Sequence, residues 1–138
     1  MVPVKNAGSS AMESIHLRYK IEKWRKGHGK TLALCISTDG VSWTVAGDEW
    51  KTETSEDTKE ENGQTKTDTT VLEMGADPLL KTISGKLTLP EPLAAGDIVY
   101  LGWFYMSNDN NCGSAQALAV DDVWISAGNP DMTVIIMK

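Results

Sequence analysis

Between residues 15 and 22 the chain alternates strictly: Ile15, Leu17, Tyr19 and Ile21 are apolar, and His16, Arg18, Lys20 and Glu22 are polar. A period of two is the mark of a half-buried β-strand, because successive side chains point to opposite faces. Trp24 and Arg25 close this strand, and Gly27-His28-Gly29 reads as a turn. The pattern predicts a second strand over Thr31–Ser37, a tight turn at Thr38-Asp39-Gly40 and a returning arm over Val41–Val45. Further on it predicts a strand over Lys81–Leu89, ended by Pro90-Glu91-Pro92, and one over Ile98–Tyr105 that is apolar on both faces, as a covered central strand would be. Ala117–Ser126 alternates again, with Ala119, Asp121, Val123 and Ile125 set against Leu118, Val120, Asp122 and Trp124, and Thr133–Met137 is a last apolar strand. No amphipathic helix stands out. Short strands parted by turn signals predict an all-β antiparallel sandwich, jelly-roll-like, filling residues 1–138 as a single domain.

Composition sharpens this picture at one place. From Gly47 to about Asp77 the apolar pattern dissolves, and the stretch 47–77 reads as a long acidic exposed loop touched only by Val71-Leu72-Glu73-Met74. Between Asp48 and Asp68 stand eight acids and three lysines, so this segment holds −5 of the formal −6. The charge is that of a solvated loop, and it argues against nucleic acid as a partner, because phosphate binding needs clustered cations. No apolar run approaches the roughly 20 residues of a spanning helix, so membrane insertion is not expected. Met1–Lys5 carries no signal-peptide core in the chain as given. The two cysteines, Cys35 and Cys112, allow one disulfide or two thiols, and both readings stand open.

Four segments in order carry a resemblance: Lys5-Asn6-Ala7-Gly8-Ser9 leading to Glu22-Lys23-Trp24-Arg25, then Ser37-Thr38-Asp39-Gly40-Val41-Ser42-Trp43, then Leu101-Gly102-Trp103, then Ala117-Leu118-Ala119-Val120-Asp121-Asp122-Val123. In this order they resemble bacterial extracellular jelly-roll modules, similar to carbohydrate-binding modules and to MAM or adhesin-type sandwiches. The resemblance implies a secreted or surface-attached, non-catalytic module that binds carbohydrate or another surface polymer. Such modules usually have strands before the Asn-Gly turn, whereas only Met1–Val4 precede it here. Either N-terminal strands are missing or the sheet is completed by another chain, and the alternative function is then a structural or assembly domain that forms a homodimer through its open sheet edge.

Among residues able to carry chemistry, Asp121-Asp122 leads. Strict alternation sends the two carboxylates to opposite faces, so they cannot form an acid–base couple. One of them would face inward and need hydrogen bonds or a cation. In modules of this kind an acid at that place holds a loop or a structural calcium, so Asp121 is a candidate ligand, with Asp109 and neighbouring asparagines able to add oxygens. No other cofactor is called for. Sugars stack on exposed rings beside polar groups. Trp43 and Trp103 are expected in the core, while Trp50, at the edge of the acidic loop, and Trp124, sharing a face with Asp122, are expected outside. Trp50, Asp122 and Trp124 are therefore the candidate ligand-binding residues. Ser37–Trp43 resembles the structural Asp-box hairpin of sialidases, one residue shorter, and makes Asp39 a turn former. His16 and His28 are expected to be solvated. An enzyme gathering Glu22, Asp109 and Asp122 is the weakest reading, since glycosidase chemistry needs two facing carboxylates.

Overall fold

A computed structural model describes residues 1–106 and 114–127, and the backbone of 134–136. The strands are β1 (Val2–Asn6), β2 (Met12–Arg25), β3 (Thr31–Ser37), β4 (Thr44–Val45), β5 (Lys51–Glu53), β6 (Thr58–Glu61), β7 (Gln64–Thr67), β8 (Leu79–Leu93), β9 (Ile98–Met106), β10 (Ala117–Ala127) and β11 (Val134–Ile136). They form an all-β, antiparallel, sandwich-like fold. One sheet runs β11-β1-β9-β3-β4, with β5 also paired to β3, and the other runs β10-β2-β8. The β6–β7 hairpin forms a separate two-stranded ribbon.

The core follows from the alternation. Ile15, Leu17, Tyr19 and Ile21 of β2 are buried against Leu32, Leu34 and Ile36 of β3 and Val99 and Leu101 of β9. Tyr19 stands edge-on to Trp103 at a centroid distance of 5.3 Å, joining the two sheets through their rings. Burial pushes the Tyr19 hydroxyl up to about 12.

Four expectations need correcting. The N-terminal strand is no open edge: β1 pairs with β9 on one side and β11 on the other, so it cannot supply the edge expected for a homodimer. The prolines do not end β8. Its ladder to β2 is interrupted between Thr88 and Leu93, and Pro90 and Pro92 fall within that interruption on a strand with one partner, where a missing N–H costs no ladder bond. The arm after Gly40 pairs only at Thr44 and Val45. Residues 47–77 are not one loop either. They hold a 3-10 turn at Asp48–Trp50, β5, and the β6–β7 hairpin closed by Asn62 and Gly63, both at positive φ. Two central residues at positive φ suit the right-handed twist of a tight hairpin, and Asn-Gly tolerates them.

This acidic segment is tied to the body through buried polar groups. Gln116 donates to the Ser55 carbonyl (2.9 Å) and to the Asp57 carboxylate (2.7 Å), and accepts from the Thr54 hydroxyl. Asp57 also binds Lys23 at 2.7 Å, and Asp68 binds Lys26 at 2.9 Å. Gly27 and Gly29 thread between these groups: a Cβ on either would lie 2.1 Å from a carbonyl oxygen, that of Ser114 or Thr54. A glycine pair is what so close a backbone passage requires. His28, between them, is half-buried and lies 3.2 Å from Glu56 rather than free in solvent, whereas His16 is exposed.

Candidate functional site

The outer face of the β10-β2-β8 sheet is built by register. Residues opposite one another on antiparallel strands share a face. Trp124, Arg18 and Ser84 therefore form one row, Ser126, His16 and Lys86 the next, and Lys20 lies between Asp121 and Thr82. Trp124 is 55% exposed. It lines a shallow depression of about 470 Å³ with Arg18, Ser84, Asp122 and Val123.

A β-bulge makes this site. Asp121 pairs with Lys20 but Trp124 pairs with Arg18, so three steps on β10 oppose two on β2. Asp122 takes φ +50°, a left-handed conformation that aspartate accepts more readily than most side chains. The extra residue shifts the side-chain parity. Before it Leu118 and Val120 pack on the core, and after it Val123, Ile125 and Ala127 do so. Strict alternation placed Leu118, Val120, Asp122 and Trp124 on one face. The bulge instead turns Trp124 outward while keeping Val123 against the core, and leaves both Asp121 and Asp122 exposed.

That geometry overturns the inward-facing acid. Asp121 lies on the solvent side, so no buried carboxylate there calls for calcium. Asp109 and Cys112 lie outside the described residues. Among the described residues no three His, Cys, Asp or Glu side chains gather as a metal site. Cys35 is a buried free thiol whose pKa burial raises.

Within the depression the charges are unequal. Lys20 binds Asp122 and holds its carboxyl below the usual carboxylate range. Arg18 makes no side-chain hydrogen bond or ion pair among the described residues and acts on Asp122 only through space. Trp24, 40% exposed, stands on the same face and donates its indole N–H to Glu22 at 2.8 Å. Arg18 and Trp24 are six positions apart along β2, or about 20 Å at the rise of a strand.

The other tryptophans belong elsewhere. Trp50, expected outside, is 2% exposed and stacks on Tyr19 at 6.4 Å between the sheets, so it cannot bind a ligand. Trp103 packs against the core as expected. Trp43 is half-buried but lies on the outer side of the six-stranded sheet, where it tilts on Phe104 at 5.2 Å and covers Gly102. Asp39 is the turn former the pattern predicted. It accepts from the Val41 and Ser42 N–H groups, each at 2.7 Å, and from the Ser37 hydroxyl at 2.8 Å, which hold its pKa well below the ordinary value.

Sequence reasoning thus reached Asp122 and Trp124 but missed Arg18 and Ser84. Their place in the β2 and β8 ladders was needed to set them beside the indole. A second depression of about 420 Å³, lined by Pro90, Glu91, Pro92, Asp97 and Tyr100 among others, offers prolines and acids but no exposed indole. No family model, curated protein or solved structure matches the chain.

Proposed function

We propose that this protein is a non-catalytic extracellular binding or adhesion module that recognises carbohydrate, or another polymer of the cell surface, on the outer face of its three-stranded sheet. The observation that carries the reading is the exposed Trp124 flanked by Arg18, Asp122 and Ser84. A sugar ring presents C–H groups on its face and hydroxyls around its rim. An exposed indole offers the apolar surface, and the guanidinium, carboxylate and hydroxyl offer hydrogen bonds. A largely preformed, shallow site on a paired sheet suits a polymer better than a small molecule that must be enclosed. Asp122, already ionised and paired with Lys20, is poorly placed to donate a proton near neutral pH, which favours binding over acid catalysis.

The test is a glycan array on the whole chain, followed by titration of hits while tryptophan emission is recorded. Binding should shift the emission, and Trp124→Ala should lower affinity by about 10-fold or more, in the range of a lost stacking contact. An array without hits, together with unchanged emission on every polysaccharide tried, would remove the reading.

A further inference from the structure

The side chains around Trp124 go further than carbohydrate in general. Of the charges lining the depression, Asp122 is neutralised by Lys20, while Arg18 has no partner among the described residues. One uncompensated guanidinium therefore faces the place where a ligand would lie on the indole. The next row along the sheet carries His16 and Lys86, both exposed. Acidic side chains on this face, Asp121, Asp122 and Glu22, lie on the other side of the Arg18 row, and two of them are already engaged, Asp122 by Lys20 and Glu22 by Trp24. The named cations and acids of the whole face balance, but the rows through Arg18 and through His16 and Lys86 carry cations and no acid, in a chain of net charge −6.

Resting on the proposed reading of the same site, we infer that the ligand is an acidic glycan, a polymer of sugars bearing carboxylates. One sugar ring stacks on Trp124 while its carboxylate takes the Arg18 fork, and the following acidic group lies toward Lys86. A planar guanidinium matches a carboxylate with two parallel hydrogen bonds, a geometry that a lysine cannot reproduce. Trp24, on the same face about 20 Å along the strand, lies beyond Glu22, so the chain of the polymer runs from Trp124 toward Lys86 rather than toward Trp24.

The experiment compares a hexuronan with the same polymer after its carboxyls are reduced to alcohols, titrated into the wild-type chain and into Arg18→Gln and Arg18→Lys. Arg18 is exposed, and thermal melting confirms that each variant folds. The inference expects the hexuronan to bind at least about 10-fold more tightly than its reduced form, corresponding to one charge-assisted pair. It expects Arg18→Gln to remove most of that preference, leaving only what Lys86 contributes, and Arg18→Lys to recover only part of it. Added salt should weaken the acidic polymer more than the neutral one. If the reduced polymer binds as well as the acid, the inference about charge falls while the carbohydrate reading survives. If neither polymer binds and the array is blank, the carbohydrate reading itself has failed and takes the inference with it.

Discussion

Trp50 shows how one residue can be misplaced by its neighbours in sequence. It follows Asp48 and Glu49 and precedes Lys51, a setting that reads as solvent, yet its indole is inserted between Tyr19 and β8. The Trp50 ring lies over β8 at Gly85, where a Cβ would stand 3.6 Å from it, in ordinary van der Waals contact. That glycine was the legible sign, since a glycine inside a strand often marks a close approach. Its partner could not be read, because the contact spans 35 positions of chain. Trp50→Ala should therefore cost about 3–5 kcal/mol of stability, the usual range for a truncated core aromatic. Denaturant unfolding measures that loss, while titration of the folded fraction should show unchanged ligand affinity. The reverse pattern, intact stability with lost binding, would restore Trp50 to the ligand site.

At the scale of the element, β10 carries the decisive irregularity. The existence of most strands was legible, and β3 spans the residues its pattern marked, because each needs only local alternation. The bulge was not legible, since an extra residue is defined by the partner strand, and β2 lies roughly a hundred residues earlier. Asn62-Gly63 was a readable hairpin signal hidden in charged surroundings that resembled a loop. Deleting Asp122 tests what the bulge is for. With that residue gone, Leu118, Val120, Val123 and Ile125 fall into plain alternation, so their core contacts need not be lost. The variant is expected to unfold in a single cooperative transition but to lose the ligand-induced change in Trp124 emission, because the strand no longer bends at the site. Binding that survives the deletion would mean that the indole alone, not its placement by the bulge, makes the site.

For the molecule as a whole, the acidic segment is attached by carboxylates, and this sets how it responds to acid. Burial alone would raise Asp57, but Lys23, the Gly27 N–H and Gln116 overcome it and hold the group below its ordinary range. The Thr70 hydroxyl and Lys26 hold Asp68 lower still. In the unfolded chain such acids titrate near about 3.9, so on acidification the unfolded state takes up their protons first. The stability these groups contribute is complete above that value and is lost as pH falls through their folded pKa values. Acid also removes repulsion within the segment, an opposing effect. Its charges are largely exposed, however, and at physiological salt they are screened beyond about 8 Å, whereas the Lys23–Asp57 and Lys26–Asp68 pairs are in direct contact. The short-range pairs should win. The melting temperature is expected to stay level from neutral pH to about 5 and to decline below about 4. Amide exchange in the β6–β7 hairpin should rise before exchange in β2 or β9, since it is the latch at Asp57 and Asp68 that titrates. Asp57→Asn should lower the melting temperature at neutral pH and flatten part of the acid decline. A wild-type melting temperature that rises as pH falls from 5 to 3 would show that repulsion within the segment, not its attachment, governs the stability of this protein in acid.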